Sequence, residues 1–212
     1  MSTSDLIRKI APPANATGEA PSLGMWTFLA TEVLFFGGLL AAYTIYRVMF
    51  TPAFTEASHH LYFWIGAINT LVLLLSSFTM ARAVHWAADG EDRRTARLLL
   101  LTAALGLAFL ILKGVEYYLD HHDQLVPGAG FRQHWPVDRG HAEMFFVLYF
   151  LITGLHAVHL LIGVSLVVGA ALAIRRRWPL RNVATKVEML GLYWHFVDIV
   201  WVFLFPLLYQ VE

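Results

Sequence analysis

The chain has 212 residues, of which 58% are hydrophobic and only 14% charged, and its formal net charge is zero. Soluble domains carry about 25% charged residues, so this composition points to lipid, and the lack of a basic surplus argues against a nucleic-acid partner. With no cysteine, disulfides, thiolate catalysis, iron–sulfur clusters and cysteine-ligated metals are excluded, leaving the ten histidines as candidate haem or metal ligands.

Residues 1–22 carry Arg8 and Lys9 but no apolar core, which is not a signal-peptide pattern. They are expected to form a polar, cytoplasmic N-terminal tail. Residues 23–212 are expected to form one membrane domain, an all-α bundle of five transmembrane helices. The apolar runs are Leu23–Phe50, His60–Ala88, Thr95–Leu119, Glu143–Ile174 and Val187–Tyr209, each holding the roughly 20 residues a span needs. The links Thr51–His59, Asp89–Arg94, Asp120–His141 and Arg175–Lys186 are too short to fold alone.

Basic residues set the orientation. With the N-terminus inside, the inner segments carry Arg8, Lys9, Arg82, Arg93, Arg94, Arg97, Arg175, Arg176, Arg177, Arg181 and Lys186. The outer segments carry only Arg47, Arg132 and Arg139, with Lys113 left over inside the third helix. An odd number of spans then places Glu212 outside. Trp26, Trp64, Trp86, Trp135 and Trp178 lie near helix ends, as an interfacial aromatic belt requires.

Along the chain, the first intramembrane ionisable group is Glu32, among Phe28, Phe35 and Phe36. A carboxyl at that depth is functional by default, and it suits a proton-responsive role better than metal ligation; a packing hydrogen bond to a neighbouring helix is the plainer alternative. Lys113 and Glu116 are three residues apart, and an ion pair or snorkelling to the outer interface accounts for them. Asp120-His121-His122-Asp123 reads as a solvated loop. Glu143, with His141, is expected to complement the dipole at the start of the fourth helix.

His156 and His159 share a face in mid-helix, which invites a haem or metal reading. Two axial haem ligands, however, must approach the iron from opposite sides, which residues three apart on one helix cannot do. Hydrogen bonds to the last helix or the first are the simpler expectation. Arg175-Arg176-Arg177 fixes topology and is placed to hold anionic lipid headgroups. In the last segment, Glu188, His195 and Asp198 are spaced to share one face, an arrangement tolerated only where neighbours cover it. No Gly-x-Ser-x-Gly, phosphate-loop or His-Glu-x-x-His pattern occurs.

Tyr193-Trp194-His195-Phe196-Val197-Asp198-Ile199-Val200-Trp201 closely resembles the terminal-helix signature of subunit III of the haem–copper oxidases, the cytochrome c oxidase family. Four further segments match in order: Glu32-Val33-Leu34-Phe35-Phe36; Asn69-Thr70 with Ser76-Ser77; Glu116-Tyr117-Tyr118; and Phe145-Phe146 through Thr153-Gly154-Leu155-His156-Ala157-Val158-His159 to Gly163. The resemblance covers about Leu23 to Tyr209.

It implies a non-catalytic subunit in a bacterial inner (plasma) membrane, packed on subunit I of a complex that also contains subunit II. Haem and copper would sit in those partner subunits, with no cofactor in this chain beyond phospholipid held in a cleft. The subunit would support proton uptake and protect the oxidase from turnover inactivation. Glu32 falls on the family's buried, carbodiimide-reactive carboxylate; Glu116, His156, His159, Glu188, His195 and Asp198 fall on polar positions inside its helix bundle. The family's lipid-binding arginine lies near Arg175 or Arg176. Members with seven helices have two that are missing here, and the five-helix form is that of many bacterial oxidases, quinol oxidases included, and of an accessory protein of nitric-oxide reductase. From other classes, the alternatives are a haem- or metal-bearing protein using His156, His159 and His195, and a proton-coupled transporter built on Glu32 and Asp198.

Overall fold

A computed structural model describes residues 16–177 and 182–209, with side chains from Leu23 onward. Among them the secondary structure is entirely helical: α1 (Ala16–Met49), α2 (Thr51–Ser58), α3 (Phe63–Ala88), α4 (Asp92–His122), α5 (Arg139–Arg175) and α6 (Val183–Tyr209). All but α2 are long and apolar enough to cross a membrane, so the chain is an all-α, multi-pass membrane protein. Residues 1–15 of the expected tail lie outside the described residues, as do Trp178, Arg181 and Glu212.

Several boundaries differ from the sequence reading, and three of the differences have a clear local reason. The first helix begins at Ala16, not Leu23, because polarity marks where a helix leaves the apolar layer and not where it stops. The link at 51–59 is the short helix α2. Pro52 sits in its first turn, where a missing N–H costs nothing, and Phe54 is buried edge-on against Phe145 at 5.4 Å. The last correction concerns α5, which starts at Arg139, capped by Asp138 accepting from the His141 N–H at 3.0 Å. Glu143 is therefore no helix opener: its Oε1 accepts from the Gly128 N–H at 2.8 Å and holds the outer loop down.

Helix α6 is the hub. Trp194 and Trp201 are fully buried, and glycines make room for them: a Cβ at Gly106 of α4 would come within 2.7 Å of the Trp194 ring, and one at Gly163 of α5 within 3.3 Å. The α3–α4 contact is lined by buried Ala83, Ala87, Ala96 and Ala103, and Thr79 and Thr102 bond across it at 2.7 Å. Small residues and hydroxyls join helices where lipid supplies no hydrophobic drive between them. At the C-terminal end of α6 the Tyr43 hydroxyl donates to the Leu207 carbonyl at 3.0 Å, satisfying one of the orphan acceptors of that terminus.

Candidate functional site

Ionisable side chains within the spans fall into three groups. In the first, Glu32 Oε2 on α1 lies 3.2 Å from His159 Nε2 on α5. The His159 ring is held by its Nδ1 against the Leu155 carbonyl at 2.9 Å and by Phe36 edge-on at 5.3 Å. The Tyr193 hydroxyl donates to the His159 carbonyl at 2.9 Å, so α1, α5 and α6 converge here. The pair borders a cavity of about 610 Å³ lined by Met25, Phe28, Ile162, Leu166, Leu190, Tyr193 and Lys186. A second cavity of about 340 Å³ continues between α5 and α6 and shares Leu166 and Lys186. The cavity is largely apolar, with Lys186 and the Glu32–His159 pair as the ionisable groups in its lining. Arg175 and Arg176 are exposed at the end of α5 and line neither cavity; Lys186 is the basic residue that does.

A second group joins α3 to α6. Ser77 Oγ pairs with His195 Nδ1 at 2.7 Å, the Trp194 indole N–H donates to Ser76 Oγ at 3.1 Å, and the Trp201 indole N–H donates to Thr70 Oγ1 at 3.1 Å. The hydroxyls of α3 thus serve α6 as a ladder. Asp198 is buried, yet neither carboxyl oxygen has a hydrogen-bond partner among the described residues.

The expected pairing of His156 is absent as well. It is buried with both nitrogens unpartnered among the described residues, its ring 5.1 Å from Trp201 and 5.6 Å from Phe109. Glu188 departs from the expected buried seam: it shares a face with His195, but that face points outward and Glu188 is exposed. The bundle instead buries the Asp198 side, 60° round a helix of 3.6 residues per turn.

In the third group, Lys113 of α4 is buried and does not snorkel. Its ammonium donates to Glu116 Oε2 at 3.0 Å, to the Tyr149 hydroxyl at 2.8 Å and to the Tyr209 hydroxyl at 2.7 Å. The Tyr149 hydroxyl donates to Glu116 Oε1 at 2.8 Å, and the Tyr209 hydroxyl donates to the same oxygen. Asp120 belongs to α4 and is fully buried, 3.4 Å from the Tyr149 hydroxyl, and the helix continues to His122, so the expected loop begins only after that. Helical spacing, four residues from Glu116 and seven from Lys113, was the signal for Asp120; Tyr149 and Tyr209 carry none in sequence.

His156, His159 and His195 each face different neighbours. Among the described residues no three His, Asp or Glu side chains gather as a metal-ligand set.

The family model described as cytochrome c oxidase subunit III matches residues 138–211. The cytochrome c oxidase subunit 3 of Thermostichus vulcanus is 34% identical over 88% of this chain and 85% of its own length. That of Corynebacterium diphtheriae is 30% identical over 90% of this chain and 88% of its own length. The quinol oxidase subunit 3 of Bacillus spizizenii is 27% identical over 91% and 88%.

Proposed function

Because this chain belongs to the subunit III family of the haem–copper oxidases, in which it is a structural subunit of a multisubunit membrane oxidase, we propose that it packs on subunit I, beside subunit II, in a bacterial inner membrane. There it holds lipid and steadies proton uptake into its catalytic neighbour. Its N-terminus faces the cytoplasm, which the bias of Lys and Arg toward the inner links supports. Haem and copper belong to the partners, and phospholipid is the ligand of this chain. Relatives named for either donor, cytochrome c or quinol, align over most of the chain, so the donor is assigned to the partner subunits and not to this one.

One observation carries the proposal: the Glu32–His159 pair beside an apolar cavity whose inner end carries Lys186. An acyl chain filling that space lays its anionic headgroup toward Lys186, with Arg175 and Arg176 nearby on the inner surface. Glu32 is the protonatable group at the cavity wall. Glu116, His159 and His195 serve to join helices, and neither they nor His156 and Asp198 have a part in redox chemistry.

The test compares the oxidase purified with and without this chain during continuous turnover. The complex lacking it is expected to lose activity after fewer turnovers and to take up protons more slowly. Equal lifetimes and equal uptake rates would overturn the proposal.

A further inference from the structure

One face of α6 is left uncovered by the other described residues, and it is not a plain lipid face. Glu188, Leu192, His195, Ile199 and Val202 repeat at helical spacing along it. Ile199 and Val202 are exposed at 54% and 42%, Glu188 is exposed, and Leu192 and His195 are half-buried. On one flank lies α3, where Ser77 bonds His195 and where a Cβ on Gly191 would meet Val84 at 2.8 Å. On the other lies α1, with Phe36 6.3 Å from Phe196 and Phe28 6.1 Å from Tyr193. The stripe is therefore the floor of a groove between α1 and α3.

Two polar groups lie on that floor without partners. The Glu188 carboxylate makes no ion pair or hydrogen bond among the described residues. His195 spends Nδ1 on Ser77, and its Nε2 has no partner among the described residues. His195 lies twelve residues into α6 from Val183, about 18 Å at 1.5 Å per residue, which is deep inside a hydrocarbon layer of about 30 Å. Lipid headgroups do not reach that depth and acyl chains offer no hydrogen bond. A half-exposed imidazole nitrogen there needs a protein partner.

We propose that the α6 stripe Glu188–Leu192–His195–Ile199–Val202 is the docking face for a transmembrane helix of another oxidase subunit, whose polar side chain or free backbone group meets His195 Nε2 and whose donor meets Glu188. This rests on the assignment of the chain to a multisubunit oxidase and adds the face by which it joins. The tautomer fixes the chemistry of the contact. When the Ser77 hydroxyl donates to Nδ1, Nε2 is an N–H donor and the partner contributes an acceptor; when Nδ1 donates, the partner contributes a donor.

The chain has no cysteine, so single substitutions Ile199→Cys and Val202→Cys introduce unique attachment points at exposed positions with little risk to folding. Each variant, in the intact complex in native membrane, is labelled with a benzophenone maleimide and irradiated. The expected result is a shift of this chain's band to the summed mass of itself and a second oxidase subunit, with the attached peptide mapping inside a transmembrane segment of that subunit. Three outcomes overturn the docking face: an intact complex that yields only lipid adducts at both positions, an adduct between two copies of this chain, or attachment mapped to an extramembrane loop. Failure of any oxidase subunit to accompany the unsubstituted chain would instead contradict its place in the complex, so the two failures are distinguishable.

Discussion

Glu32 and His159, on helices α1 and α5, meet with Oε2 and Nε2 3.2 Å apart at the wall of an apolar cavity of about 610 Å³. The contact ties α1, which packs loosely along most of its length, to the central helices. Polar contacts between helices in a membrane contribute on the order of 0.6–2 kcal/mol. A single pair is therefore enough to orient α1 but not to hold the bundle together.

Glu32→Gln keeps the shape of the side chain and leaves hydrogen-bonding atoms beside His159. The variant is expected to assemble in normal amounts while losing carbodiimide modification of this subunit. Mass spectrometry of the labelled peptide checks it, and undiminished labelling would contradict the role assigned to Glu32.

Among the described residues, Lys113 is the one cation beside two buried carboxyl groups, Glu116 and Asp120. Removing one partner from a buried pair strands the other, at about 3–5 kcal/mol. Lys113→Met should therefore strongly reduce the amount of this subunit retained in the purified complex, and Lys113→Met combined with Glu116→Gln should recover part of the loss. Subunit stoichiometry measures both variants; equal loss in the single and double variants would show that packing, and not the stranded charge, is responsible.

Gly106→Ala places a methyl group against the rigid, fully buried Trp194 ring. Overpacking of this kind costs about 1–3 kcal/mol. Thermal unfolding of the complex is expected to show the loss, whereas Gly114→Ala on the same helix, with nothing within 4 Å of its new Cβ, should be nearly neutral. Equal effects would refute the close Gly106–Trp194 fit.

Outside the membrane, the Tyr62 hydroxyl donates to Asp123 Oδ2 at 2.7 Å. That bond holds the Asp123 carboxyl below its ordinary value and pushes the Tyr62 phenol up to about 12. For the depressed carboxyl, the gain in native stability is present above the ordinary carboxylate range and lost as pH falls through the folded value. For the raised phenol, it is present below the ordinary tyrosine value and lost as pH rises toward about 12. Both groups are solvated, so the bond contributes less than about 1 kcal/mol. The stability difference between the unsubstituted protein and Tyr62→Phe should be flat at neutral pH and vanish at either extreme.

Much of this architecture was readable from residue order. Five spans follow from hydropathy, a local property, and the terminal-helix signature was legible through its resemblance to a known family. What sequence left open depends on rotation about a helix axis. His195 and Asp198 share a polar stretch, but only the packed bundle decides that Asp198 turns inward and Glu188 outward. Likewise, Glu32 and His159 were each candidates alone, and their pairing is a long-range contact that no spacing encodes. Asp120 was misread as loop because four polar residues in a row resemble a helix end, although the burial of Glu116 one turn earlier keeps α4 going. For Lys113 the ion pair with Glu116 was legible and the snorkelling alternative falls away, because Tyr149 and Tyr209 on other helices bury the ammonium.

The central claim is that this chain builds an oxidase without carrying its chemistry. Tagged chain is purified from native membrane in mild detergent, and its visible spectrum is recorded before and after dissociation into subunits. The complex is predicted to contain a haem-bearing catalytic subunit and to show a Soret band that leaves entirely with that partner. A Soret band retained by this chain after separation, or purification unaccompanied by any haem protein, would contradict the account.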